Sequence, residues 1–143
     1  MDGNEPKKST YGSLVVQPIE LITEFNLDFC IASVIKWLTK WHMDENQANR
    51  RHYLDNAEYY VRKCSKMDGS DARKLMFALE LYCKINNFKC ADNPVYLIMQ
   101  VVSVATNGMN DTGIYYIQCA RGDFDEVLHE AVHCDAESLN ECQ

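Results

Sequence analysis

The chain is 143 residues long, 47% hydrophobic and 24% charged, which suits one compact domain around a single core and excludes a disordered chain. Its 21 acids outnumber its 14 Lys and Arg residues, a net charge of −7 that argues against generic nucleic-acid binding and against a membrane-surface role. No apolar run reaches the roughly 18–20 residues a bilayer span needs, and the opening MDGNEPKKST lacks the apolar stretch of a secretory signal.

In chain order, residues 1–13 read as a loose arm. Pro18 then sits where the first turn of a short helix favours it, in the stretch LVVQPIELITEFN. Asp28 caps a strong helix to about Trp41, whose apolar stripe is Leu27, Ile31, Val34, Leu38 and Trp41. Ser33, Lys36 and Lys40 fall together on another face of it. The polar stretch HMDENQANRR separates this helix from a second one reaching Cys64, with Tyr53 or Leu54, Ala57 and Tyr60 or Val61 as its buried stripe. Met67-Asp68-Gly69 is a turn, and Ser70 or Asp71 caps a third helix through Leu75, Leu79, Tyr82 and Cys83. Asn93-Pro94 opens a fourth helix that ends at Asn107-Gly108. Residues 114–119 (IYYIQC) are β-prone, and propensity alone leaves strand and helix both open there. Asp123, with Glu126 three residues on, resembles a capping box for a last helix to about Leu139. The expected fold is therefore mainly α, a compact domain of about five helices with at most one short β element near 114–119. It divides into the arm (1–13), a helical core (14–66) and an acidic helical extension (67–143).

Seven cysteines, an odd number with no C-x-x-C pair, fit a reducing cytoplasmic compartment and small core residues better than a disulfide framework. The charge is uneven: residues 1–66 hold nine acids and nine bases, residues 67–143 twelve acids and five bases. Lys36, Lys40, Arg50 and Arg51 concentrate positive charge in the first half, where a small anionic ligand would find its partners. Interleaved Asp44, Glu45, Asp55 and Glu58 also allow a plain solvated surface. No phosphate-cradling glycine loop or nucleophile elbow is present, so a bound phosphate would be held by side-chain cations.

Between about residues 9 and 64 several helical motifs, each unspecific alone, follow one another in a set order. A Lys-x-x-Tyr arm (Lys8, Tyr11) leads to QPIELI, then LDFCIASVIKWLTKW, then YLDNAEYYVRK. This resembles a small domain family of tailed bacteriophages that includes a nucleoside-monophosphate kinase without a P-loop. Tyr11, Ile19, Phe29, Lys36, Leu54, Ala57, Tyr59 and Tyr60 match the family pattern, while Trp37 and Lys40 stand for its aromatic and its Arg. Thr10, Ala32-Ser33, Tyr53 and Asn56 replace its His, Gly-Asn, Asp and Lys. The resemblance implies a nucleotide or other small anionic ligand held by Tyr11, Ser33, Lys36, Trp37, Lys40, Arg50, Arg51 and Tyr60. For a kinase it also implies a nucleoside triphosphate with Mg, in the host cytoplasm. The replaced polar groups point to weakened phosphoryl transfer, which needs several positioned charges at once. Trp37, Trp41, Tyr59 and Tyr60 could stack on a base or simply pack in the core.

One further string, His129-Glu130-Ala131-Val132-His133, spells the zinc-hydrolase pattern H-E-x-x-H. Only ten residues follow His133, and no third ligand stands at the expected place. Glu126, His129, His133 and Glu137 instead form a polar flank of a helix, which outranks zinc. The leading expectation is a nucleotide-binding phage-type protein. The alternatives are a non-enzymatic viral protein that binds a host partner or sequesters a nucleotide, and a zinc-dependent hydrolase. A homo-oligomer with a ligand site between subunits is a further expectation for so short a helical chain.

Overall fold

The computed structural model describes residues 12–88 and 96–122. Within them the chain forms six helices: α1 (Pro18–Phe25), α2 (Phe29–Met43), α3 (Gln47–Val61), α4 (Gly69–Ile85), α5 (Leu97–Ala105) and α6 (Asn110–Arg121). The mainly α expectation holds: the described residues form six helices, where about five were expected for the chain, and no strand, and the last expected helix, from Asp123 to about Leu139, lies outside them. Residues 114–119, where propensity left strand and helix both open, lie inside α6, so the short β element allowed there does not form. Ile114 and Ile117, three apart, are both buried where α6 packs on α3 and α5, while Tyr115 between them is exposed. Helical spacing of the buried positions has overridden a β-prone composition.

Local chemistry sets the helix ends. Pro18 occupies the first turn of α1, and the Gln17 backbone N–H donates to Glu20 at 2.9 Å. The Asp28 carboxylate accepts from the Ile31 N–H at 2.9 Å, the cap expected for α2. The cap of α4 is Asp68 rather than Ser70 or Asp71, its carboxylate accepting from both of their N–H groups at 2.9 and 3.2 Å. The opening of α5 differs in the same way: Tyr96 is its N-cap, and Asn93-Pro94 lies outside the described residues. Gly108, at φ +82°, closes the turn that ends α5, as its position predicts.

The largest departure concerns the polar stretch 42–51. Most of it is helix: α2 continues to Met43, and α3 begins at Gln47, capped by the Asn46 side chain accepting from the Asn49 N–H at 2.9 Å. Gln47, Ala48, Asn49 and Arg51 are all exposed, so the first turn of α3 carries no apolar periodicity to read.

The core is made where α2 lies along α3 and α5, and α6 closes over α3 and α5. Ile31, Val34, Ile35 and Leu38 of α2 meet Leu54, Ala57 and Val61 of α3, Leu75 and Leu79 of α4, and Ile98, Val101 and Val102 of α5, all with side chains essentially out of solvent. Each contributes about 1.5–3 kcal/mol of burial for the larger aliphatics. Gly113 lets α6 approach: a Cβ there would stand 3.2 Å from Val61 Cγ1 and 3.5 Å from Val104 Cγ2.

Three polar ties fix the elements around this core. Thr39 Oγ1 and the Tyr82 hydroxyl share a buried 2.7 Å hydrogen bond between α2 and α4. Asn86, after α4, clamps the strap before α1: its Oδ1 accepts from the Val15 and Val16 N–H groups at 2.8 and 3.0 Å, and its Nδ2 donates to the Val16 carbonyl at 2.8 Å. Arg121 closes α6 onto α3 through Glu58 and, at 3.1 Å, Asp55.

Candidate functional site

The sequence-predicted site residues fall into three neighbourhoods. The first is a groove of about 520 Å³ between α1 and α2, lined by Gln17, Pro18, Ile19, Ile22, Leu27, Phe29, Ala32, Ser33 and Lys36. Ser33 is buried and Lys36, three residues on, is exposed, so one hydroxyl and one ammonium share an otherwise mainly apolar lining. Phe29 is exposed, and its ring meets the half-buried Tyr60 edge-on at 5.5 Å. Four predicted or matched residues, Phe29, Ser33, Lys36 and Tyr60, are thereby brought together, with Ile19 on the facing helix. Aromatic, hydroxyl and ammonium groups around one apolar concavity form a combination that can hold a planar, anionic small molecule.

The second neighbourhood is a cluster on the α2–α3 surface. The Lys40 ammonium lies 4.6 Å from the Trp37 ring centre and 5.9 Å from that of Tyr53. Trp37 also touches His52 edge-on at 5.8 Å. The Tyr53 hydroxyl donates to Asp44 at 3.0 Å, and Asp44 additionally accepts from the Asn46 N–H and the Asn49 amide. These donors hold the Asp44 carboxyl below its usual range, the Asn46 N–H first and with burial opposing. The Tyr53 phenol is thereby committed to a neighbouring carboxylate.

The third is a larger cleft of about 980 Å³, lined among others by Leu14, Trp41, His42, Asp44, Glu45, Arg50, Asn86, Phe88, Gln100, Tyr116 and Cys119. The Arg50 guanidinium carbon lies over the Trp41 ring, 4.0 Å from its centre. Burial draws its pKa down, and the negative charges of Asp44 and Glu45 oppose that shift. The Arg50 Nε is buried and has no hydrogen-bond partner among the described residues. His42 stacks on Phe88 at 5.0 Å with nearly parallel rings. Sequence reasoning did not find this cleft, because His42, Phe88, Gln100 and Tyr116 come from four separate segments with no motif linking them.

The predicted cations are thus not gathered in one cavity. Lys36 lines the α1–α2 groove, Lys40 packs on Trp37, Arg50 lines the larger cleft, and Arg51 is exposed on α3. Tyr11 and Thr10 lie outside the described residues, as do His129, Glu130 and His133. Among the described residues, no group of three or more His, Cys, Asp or Glu side chains is placed to hold a metal, and no helix is long and apolar enough to cross a membrane. No protein-family model, curated protein or solved structure matches the chain.

Proposed function

We propose that this chain is a phage-type nucleotide-binding protein of the cytoplasm that holds a nucleoside monophosphate, or a similar phosphorylated planar molecule, in the α1–α2 groove without efficient phosphoryl transfer. One observation carries the reading: Ile19, Phe29, Ala32, Ser33 and Lys36, the positions through which the sequence resembles or departs from the phage pattern, are spread over eighteen residues yet line one concavity. In this reading Lys36 contacts the phosphate, the Ser33 hydroxyl orients it, and the base lies against Phe29 and Ile19.

Binding without transfer follows from what the groove holds. Among the described residues its lining carries one ammonium and no carboxylate, and Ser33 stands where the pattern has an Asn. Phosphoryl transfer relies on several charges acting on one phosphate together. The Tyr53–Asp44 pair lies in a different neighbourhood.

Calorimetric titration of the full chain with AMP, dTMP and ATP, with and without Mg, tests this. Wild type should bind a monophosphate, Lys36→Ala should weaken that binding about tenfold, as loss of a charge-assisted contact does, and Arg50→Gln should leave it unchanged. A titration with no heat for any nucleotide refutes the reading. Binding lost in Arg50→Gln and kept in Lys36→Ala moves the site to the larger cleft.

A further inference from the structure

The acidic molecule carries one apolar and basic face. On α4, Phe77, Leu81 and Ile85 recur every fourth residue and are exposed at 73%, 59% and 49%. At three- and four-residue spacings from them stand Arg73, Lys74 and Lys84, so three cations frame the apolar ridge. Glu80 lies at the flank, paired with Lys84 at 2.9 Å, and Asp71 lies on the other edge by helical spacing. Along the ridge runs a shallow groove of about 370 Å³ lined by Ala72, Arg73, Met76, Phe77, Glu80 and Met99. Large apolar side chains in a row at this exposure, framed by charge, mark an interaction surface rather than scattered surface residues.

We propose that this face of α4 docks an acidic amphipathic helix of a partner protein. The ridge of residues four apart fits the groove between the side-chain rows of another helix. Met76 and Met99 supply the adaptable wall into which one apolar anchor of that helix inserts. Charge chooses the partner: Arg73 and Lys74, both exposed, attract Asp and Glu side chains flanking its apolar stripe, while Lys84 is already paired with Glu80. The same cations would serve a second copy of this chain poorly, since two α4 faces packed together bring like charges into register. An anionic membrane is disfavoured by the net charge of −7, which repels it as a whole. The surface is separate from the α1–α2 groove, and the proposal does not depend on nucleotide binding.

The test is fluorescence anisotropy on the full chain with a labelled synthetic helical peptide carrying Leu four residues apart and Glu between. Controls are a peptide with Lys for Glu, a scrambled peptide, and vesicles of phosphatidylserine and phosphatidylcholine. Wild type should bind the acidic peptide alone, more weakly as salt rises. Leu81→Glu and the double variant Arg73→Glu/Lys74→Glu, both at exposed positions and checked for unchanged thermal melting, should each weaken binding at least tenfold. Absence of acidic-peptide binding by the wild type overturns the proposal, as does equal binding of the scrambled or Lys peptide. Binding of the vesicles instead, or a wild-type dimer abolished by Leu81→Glu, assigns the face to another occupant and also overturns it.

Discussion

Asn86 shows how much one side chain can organise. Its amide satisfies two backbone donors and one backbone acceptor of the segment leading into α1, so it holds that segment against the end of α4. Asn86→Ala leaves three backbone groups without their partner, two of them partly buried, and should cost about 1–3 kcal/mol, read as a lower urea midpoint. Asn86→Asp keeps the acceptor and sets a carboxylate oxygen against the Val16 carbonyl, so it should not restore wild-type stability. Tyr82→Phe is a milder case. It removes one partner of the buried Thr39 hydroxyl and should cost about 1 kcal/mol, with the van der Waals surface of the ring retained. Cys64 is held inert by the same burial that makes it core. Desolvation, and then the nearby Cys30 and Asp28, push its thiol up to about 12, so almost no thiolate forms at neutral pH. Alkylation of the native chain at pH 8 followed by mass spectrometry should find Cys64 unmodified and labelled only after unfolding. Labelling in the folded state would contradict the assignment.

At the scale of elements, the join between α2 and α3 is built almost entirely from polar groups. Asp44 accepts the Asn46 N–H and the Asn49 amide, and Asn46 in turn caps α3. Asn46→Ala should therefore cost about 1 kcal/mol and fray the first turn of α3, visible as faster amide exchange at residues 47–50. Unchanged exchange there would show that the cap does not hold the turn. This join also shows where the sequence stops being legible. The buried stripes of α2 (Ile31, Val34, Leu38), α3 (Leu54, Ala57, Val61) and α4 (Leu75, Leu79, Cys83) are readable because burial imposes a period. The first turn of α3 buries nothing, so its residues look like a loop. In α6 the two buried isoleucines are diluted by tyrosines of strand propensity, and only the packing of α6 on α3 and α5 decides for helix. The candidate groove was half legible. Ser33 and Lys36 are near in sequence, but Ile19 joins them only once α1 folds back on α2. The Arg50–Trp41 stack was not legible as a site, because a cation nine residues from a tryptophan specifies no geometry until both helix ends are placed.

Across the whole molecule, α6 is tied to α3 by one short ion network, and that tie makes global stability depend on pH. Arg121 is largely buried, at 11% side-chain exposure, against Glu58 at 15%, with Arg62 on the same carboxylate at 2.6 Å. Burial acts first on the Glu58 carboxyl and pushes its pKa up, yet the bonds from Arg121 and Arg62 more than offset this and leave it below the usual glutamate value. A carboxyl whose folded pKa lies below its unfolded one stabilises the fold fully above the unfolded value, about 4.3, and loses that stabilisation as pH falls through the folded value. The contribution is therefore whole at pH 7 and is lost as pH falls below about 4.3 and through the lower folded value. Arg121→Ala leaves a mostly buried carboxylate with only Arg62 and should cost about 2–3 kcal/mol at pH 7, toward the lower range for breaking a buried pair. Glu58→Gln separates charge from packing, since the amide fills the same space. Urea unfolding of wild type and Glu58→Gln between pH 7 and pH 3 should show a gap in stability that narrows as the acid is titrated. A gap that stays constant across that range would mean that the network holds α6 by shape and not by charge.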